Sequence, residues 1–459
     1  MAHLKIGDKI QTIEGELITV DDELGEGAEG VVYKVTWRKK AYALKWYWKK
    51  PKTEKRKTLY VKKYENFKRN IEKGAPAPTF LWPLALTKID NYGCVGYIMA
   101  LRPPEYGELG QFNINRFKFN SPRSVLNAML NITLSFRLLH KGGFSYQDLN
   151  DGNFFFNHKN GDLKICDNDN ITANGESLGI KGKTKYMAPE IMAGNYKPDV
   201  HSDRFSLAVI LFLLMCKAHP LFGKRNNPDI NDTECDKQLY MDNPIFIFDE
   251  HDKTNRPDDS ISKNPNILWP YYPQCLRDLF LKAFDKSVMN KNGTNRQNRV
   301  IEKDWVKGIV QALNNLISCP YCSKDVFIDL EKESTRCPEC GKKIHRPPVL
   351  RLPNYSIPLE YNKKHPRIIT QFEFEDLDPR FENIRKEFAR VAHPVGHEEI
   401  DALVNESERV WTKTNLKGKT GIVQITKPDA PSGAIIKRKG KLDCYKINFG
   451  YFKDDCPIE

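Results

Sequence analysis

GFSYQDLNDGNFFF, residues 143–156, places a carboxylate at Asp148 and an amide at Asn153, five positions apart, ahead of a phenylalanine run that reads as a buried strand. Fourteen residues beyond Asn153 comes Asp167, in the apolar context LKICDND. Two strands here bring two acids and an amide to one place. Magnesium takes oxygen ligands and is held by few protein groups together with substrate phosphates. An aspartate and an asparagine suit such a metal, and a second aspartate suits a proton acceptor for an attacking hydroxyl. Any one of these residues alone reads equally well as a turn former. The ordered set is what carries information.

Toward the N-terminus lies Gly25-Glu26-Gly27-Ala28-Glu29-Gly30-Val31-Val32-Tyr33. Three glycines at this spacing let a backbone approach phosphates and offer N–H donors. The segment sits between apparent strands, whereas a dinucleotide-binding fingerprint opens a helix. Fifteen residues past Gly30, Lys45 stands inside the strand pattern AYALKWY. A lysine there is costly unless its charge has a partner, and a phosphate would supply one. An acid must hold that lysine. Apolar positions at Leu59, Val61, Tyr64, Phe67 and Ile71 predict a helix over 58–72, with Glu65 near its middle. Glu54 or Glu72 takes the role if the helix register differs.

Further on stands Lys185-Tyr186-Met187-Ala188-Pro189-Glu190. Glycine loop, strand lysine, D-L-x-x-x-N, metal aspartate and A-P-E, in that order, resemble the protein-kinase signature over roughly residues 15–315. The resemblance implies an α+β, two-lobed fold with ATP and Mg²⁺ in the cleft. Gly25, Glu26, Gly27, Gly30, Val32 and Ala43 would line the nucleotide, and Met99, Ala100 and Leu101 would form the hinge. Lys45 would pair with the phosphates and Glu65, Asp148 would be the base, and Asn153 and Asp167 the metal ligands. Asp203 would brace the catalytic loop, and Glu190 would pair with Arg299.

Several positions depart from that signature. Tyr146-Gln147 replaces the usual His-Arg, which removes the arginine that reads an activation-loop phosphate. Asn150 stands where Ser/Thr kinases carry a lysine. Asn168-Asp169 replaces Phe-Gly after the metal aspartate, and Lys183 replaces the threonine after Gly182. The wording SYQDLNDGNFFFN, ICDNDN, GIKGKTKYMAPEIM and HPLFGKR is similar to bacterial kinases encoded beside a von Willebrand A-domain protein and a metal-dependent phosphatase. Such genes stand in tellurite-resistance-type or stress cassettes. The implied activity is transfer to Ser or Thr of protein substrates, the chain itself included, with tyrosine specificity open. The rival is a pseudokinase scaffold.

The whole chain has 459 residues, 40% apolar and 29% charged, which favours two or three globular domains. Lys and Arg number 72 against 59 acids, a net charge of +13. Such a surplus accompanies nucleic-acid binding, but the charges are spread along the chain, as on a solvated basic surface. The N-terminus has no apolar core of a signal peptide, and Phe205–Cys216 is too short to span a bilayer. A cytoplasmic protein with no membrane span is expected. Cys319-Pro-Tyr-Cys322 and Cys337-Pro-Glu-Cys340, 14 residues apart, have the spacing of a zinc ribbon. The expected domains are an N-lobe at 1–102, a C-lobe at 103–316, the Zn²⁺ ribbon at 317–346, a Pro-rich linker at 347–368, and a small C-terminal α/β domain at 369–459. In that last part 380–413 reads as helical and 418–452 as short strands. Its basic and aromatic segment IIKRKGKLDCYKINFGYF suits either nucleic acid or an exposed hairpin.

Overall fold

The computed structural model describes residues 3–27, 30–47, 54–90, 94–179, 182–226, 233–363, 366–374, 380–394, 396–427 and 431–459, with backbone only at 54–60 and 233. Ala28, Glu29 and the basic run from Lys49 therefore lie wholly or partly outside the described residues, as does the Glu54 side chain. The chain forms two compact units. One comprises Met1–Asn120, Asn127–Ile267 and Phe280–Ile301, and the other Ser121–Leu126, Leu268–Leu279 and Glu302–Glu459.

The first unit begins with a six-stranded antiparallel sheet. Its strands are β1 (Lys9–Gln11), β2 (Leu17–Glu26), β3 (Val31–Trp37), β4 (Lys40–Tyr47), β5 (Ala85–Leu86) and β6 (Val95–Ala100), in the order β1-β2-β3-β4-β6-β5. Alternation sorts their side chains between two faces. Val31, Tyr33, Val35 and Trp37 of β3 pack with Ile18, Val20, Leu44 and Trp46. Ala43, Tyr47, Tyr97 and Met99 pack on the other face with Phe67, a residue of helix α1 (Glu54–Lys73). Arg38 and Lys39, both at positive φ (49° and 61°), close the β3–β4 hairpin in the two-residue form that matches strand twist.

The helix Val200–Cys216 carries the apolar run. It is buried on every side from Phe205 to Cys216, which explains an all-round apolar sequence without a membrane. Among the described residues no helix is long and apolar enough to cross a bilayer. Asp199 caps it, accepting from the His201 and Ser202 N–H groups at 3.0 Å, while the Asp199 N–H donates to Ser202 Oγ at 2.9 Å. Glu190, fully buried, takes a two-pronged contact from Arg299, with both N···O distances 2.7 Å.

His219, in HPLFGKR, is buried between ring neighbours Phe222 and Tyr240. Its Nε2 faces the Lys185 carbonyl at 2.7 Å and its Nδ1 accepts from the Leu221 N–H at 3.1 Å, which fixes one neutral tautomer. Burial pushes its pKa down from 6.5 to about 3. In the unfolded chain this histidine takes up a proton that the folded one refuses. Between those two values stability falls with falling pH, by up to about 1.4 kcal/mol per unit from this group. Chemical denaturation of wild type and His219→Gln across pH 7 to 4 should show the variant with the shallower slope.

In the second unit the helix Glu302–Asn314 leads into paired short strands, Leu316–Ser318 with Asp325–Phe327 and Ser334–Arg336 with Lys343–His345. The Pro-rich stretch at 347–368 is not an extended linker. Val349–Arg351 pairs with Ser356–Pro358, and Val349, Leu350 and Ile357 are fully buried. Pro348, Pro353 and Pro358 fall at strand ends, where little N–H pairing is lost. The C-terminal part is also not the expected α/β domain. Its described helices are two short turns, Gln371–Phe374 and Phe381–Arg385, and the rest forms a five-stranded and a four-stranded sheet. The helical reading of 380–413 fails because Glu387–Ala392, Ile400–Asn405 and Trp411–Asn415 are strands. Phe388 stacks there on Phe374 and Trp411, with centroids 3.8 and 5.6 Å away, and tertiary burial overrides the local helical spacing. The short strands expected over 418–452 are present.

Candidate active site

Asp148 and Asn153 lie on the turn between strand Phe144–Ser145 and strand Phe154–Asn157. The latter pairs with Leu163–Ile165, so Asp167 emerges beside Asn153, and the Cys166 N–H donates to the Asn153 carbonyl at 2.9 Å. Asn153 Nδ2 donates to the Asp148 carbonyl at 2.9 Å, which leaves Oδ1 as the amide's acceptor. Asp167 adopts a left-handed conformation (φ 52°), and its side chain is 46% exposed. Lys45 Nζ reaches Asp167 Oδ1 at 2.9 Å. Strand, loop and turn thus converge on one cluster in the first unit.

Asp148 is half-buried, and its Oδ1 is a buried atom with no hydrogen-bond partner among the described residues. Burial raises its pKa above the ordinary carboxylate value, opposed by the Asn150 side chain and the Lys183 main-chain N–H. It borders a cavity of about 490 Å³ lined also by Gln147, Lys183, Thr184 and Tyr186. A carboxylate oxygen lacking a donor, beside a cavity, fits an incoming hydroxyl.

The backbone of this loop is held from below. Asp203 Oδ2 accepts from the Tyr146 N–H at 2.7 Å and faces His140 Nε2 at 3.1 Å, and Oδ1 lies 3.4 Å from the Gln147 N–H. Tyr146 donates its hydroxyl to the Cys166 carbonyl. Gln147, at φ 67°, donates its amide to Thr172 Oγ1 and to the Glu176 carbonyl, the latter at 2.6 Å. Glu176 also pairs with Arg69 of α1 at 2.9 Å. A neutral amide and an ion pair therefore fasten the segment that follows Asp167.

Of the residues expected to line a nucleotide, Val32, Ala43, Met99 and Leu101 share one apolar cluster with Cys166, and Ala43 stands directly opposite Met99 in the sheet. Burial pushes the Cys166 thiol up to about 12, so it stays neutral. Ala100 is exposed at the end of β6. Gly25 has open space where a Cβ would stand, and at Gly27 a Cβ would meet only the Gly30 carbonyl oxygen, at 3.8 Å. Gly30 is glycine for another reason, since a Cβ there would collide with the Trp46 carbonyl of β4 at 2.1 Å.

Glu65 does not hold Lys45. It is exposed and pairs with Lys68 at 3.2 Å. Lys63, Asn66, Phe67 and Asn70 occupy the inward face of α1, and Glu65 lies about 200° round the helix from Lys63. Lys45 instead meets Asp169, at 3.2 and 3.3 Å from its two oxygens. Burial alone would push the Lys45 ammonium down, but Asp169 and Asp167 outweigh it and hold its pKa well above the ordinary value. Asp169, Lys63 and Tyr47 escaped the sequence reading. The signal was present in polar residues at i, i+3 and i+7 of α1, and in an acid deep in an apolar context.

Residues 96–306 match the family model described as protein kinase domain. That stretch is similar to protein kinase domains. Calcium-dependent protein kinase 20 of Oryza sativa subsp. japonica is 30% identical over 304 residues, 64% of this chain and 48% of that protein. Calcium-dependent protein kinase 3 of the same plant is 30% identical over 213 residues, 45% and 37% of the two chains. Calcium-dependent protein kinase 13 of Arabidopsis thaliana is 30% identical over 212 residues, 45% and 38%. The chain spans less than half the length of these relatives. The kinase-domain match contains Asp148, Asn153 and Asp167, whereas Lys45 and the glycine loop precede it.

A second cluster lies in the other unit. Cys319, Cys322, Cys337 and Cys340 bring their sulfurs within 4.8 Å of one another. Cys319 to Cys340 is 3.8 Å and Cys322 to Cys337 is 3.7 Å. A tetrahedral zinc–thiolate site with bonds of about 2.3 Å has edges of about 3.8 Å, so the donor set fits Zn²⁺.

Proposed function

We propose that the chain is a protein serine/threonine kinase that moves the γ-phosphate of ATP to hydroxyls of protein substrates, itself included. The observation that carries this reading is the convergence of Lys45, Asp167, Asn153 and Asp148 from separate parts of the chain. Asn153 and Asp167 would hold Mg²⁺, which would neutralise charge developing on the phosphates. Lys45 offers its ammonium to the phosphates. Asp148 orients the substrate hydroxyl and takes its proton as the new O–P bond forms and the bond to the departing ADP breaks. Asn150 brings no charge, but the Lys183 ammonium stands over the same loop, 3.6 Å from Asp151 Oδ1. That cation supports charge stabilisation at the transferred group and favours catalysis over a scaffold role. With γ-labelled ATP and Mg²⁺, wild type should label itself or a basic test protein and Asp148→Ala should not. Equal labelling by both ends this reading.

Gln147 has no charge to read a phosphate, and its amide is already bonded to Thr172 and Glu176. Activity should therefore not depend on activation-segment phosphorylation. Treatment with a broad-specificity phosphatase, then its removal, should change the initial rate by less than about twofold. A loss of tenfold or more contradicts this.

The finer assignments are part of the same reading. The likeness of SYQDLNDGNFFFN and ICDNDN to bacterial kinases supports a cytoplasmic signalling role, with a von Willebrand A-domain protein and a metal-dependent phosphatase as partners. The relatives named above are plant proteins and lend that source no support. Residues 1–102 and 103–316 would be the two lobes, and 317–346 a zinc ribbon that serves structure or protein docking.

A further inference from the structure

The ammonium at Lys45 is oriented by a carboxylate from an unexpected part of the chain. Asp169 is 1% exposed and lies against two lysines that are themselves 11% and 15% exposed. Lys45 straddles both of its oxygens, Lys63 of α1 reaches Oδ2 at 2.7 Å, and the Tyr47 hydroxyl donates to the same oxygen. A buried carboxylate with this many donors has a fixed orientation, and so do the donors. We propose that Asp169 is the positioning residue for the phosphate-binding lysine, with the charges of the helix contact reversed: α1 supplies the cation Lys63 and the metal-bearing loop supplies the acid. This rests on the kinase reading above and names the device that orients Lys45 within it.

Three further features support the assignment. The inward face of α1 is already docked on this loop, because Asn66 Nδ2 and Asn70 Nδ2 both donate to the Ile171 carbonyl, at 2.7 and 3.0 Å. The loop is itself fixed, since Asn168 Nδ2 donates to the Leu81 and Ile165 carbonyls at 2.8 and 3.1 Å. Finally, the two acids that touch Lys45 differ in access. Asp167 is 46% exposed and open to a ligand, whereas Asp169 is sealed. The Asp167 contact can yield to a bound nucleotide while the Asp169 contact keeps the ammonium in place. One three-residue turn thus sets both the metal ligand and the lysine, and α1 need not supply an acid.

The test is a charge transplant. Asp169→Asn keeps the volume and removes the charge. Adding Lys63→Glu returns a carboxylate from the helix side. Binding of a fluorescent ATP analogue with Mg²⁺ and the kcat and KM of transfer are measured for wild type, the single variant and the double variant. Asp169→Asn should weaken analogue binding about tenfold and lower kcat/KM about a hundredfold, and the double variant should come back to within about fivefold of wild type in both. A merely structural Asp169 would lower the melting temperature and leave the affinity of the folded fraction unchanged. Asp169→Asn that binds and transfers like wild type overturns the proposal, as does a double variant no better than the single in folding, binding or transfer. If wild type transfers no phosphate, the kinase reading fails, and the binding arm still decides whether Asp169 positions Lys45.

Discussion

Asp148→Asn should lower phosphoryl transfer by between about 10² and 10⁴ while leaving nucleotide affinity within about threefold. The substitution preserves shape and the loop's backbone contacts to Asp203, which bind the Tyr146 and Gln147 N–H groups rather than the Asp148 side chain. It removes the carboxylate's charge and its ability to accept a proton, while one of its oxygens has no hydrogen-bond partner among the described residues. Among the described residues Lys45 bonds to Asp167 and Asp169, and the apolar cluster of Val32, Ala43 and Met99 does not include Asp148, so the nucleotide should bind as before. Single-turnover transfer and analogue titration separate the two effects. A variant that loses affinity and rate together would place Asp148 in nucleotide binding instead.

The second large effect concerns the cysteine module. Its core is a small group of buried side chains, Ile317, Val326, Ile328, Leu330, Ile344 and Val349, joined by Cys319 and Cys337. So little apolar area cannot offset the ordering of four short strands, and thiolate–metal bonds worth about 10 kcal/mol or more would be the main stabilising contribution. The chain purified without added zinc should carry about one zinc per molecule, and Cys337→Ser should lose both the metal and a cooperative unfolding transition. Elemental analysis with calorimetry checks this. A metal-free protein with an unchanged transition contradicts it.

The catalytic half of the candidate site was legible because its residues are close in sequence. Asp148 and Asn153 precede, and Asp167 follows, the single hairpin of Phe154–Asn157 with Leu163–Ile165, so spacing alone predicts their meeting. The helix expected over 58–72 was legible from its apolar period, and it is found at Glu54–Lys73. The partner of Lys45 was not legible. It depends on which face α1 turns inward, and a shift of two residues exchanges Glu65 for Lys63. Nor was the course of 347–405, where alternation is broken by prolines and charges. There Arg367, buried, donates to the Leu316 carbonyl at 2.9 Å, and Glu373 accepts from Asn314 at 2.7 Å. Long-range polar contacts of that kind leave no periodic trace.

The central claim is that Lys45, distant in sequence, joins Asn153 and Asp167 around one metal-bound triphosphate. Electron paramagnetic resonance of Mn²⁺, as a stand-in for Mg²⁺, tests it directly. Wild type should immobilise Mn²⁺ when ATP is present, and Asp167→Ala and Asn153→Ala should each weaken that complex by about tenfold or more. Mn²⁺–ATP held equally well by wild type and both variants would contradict the account.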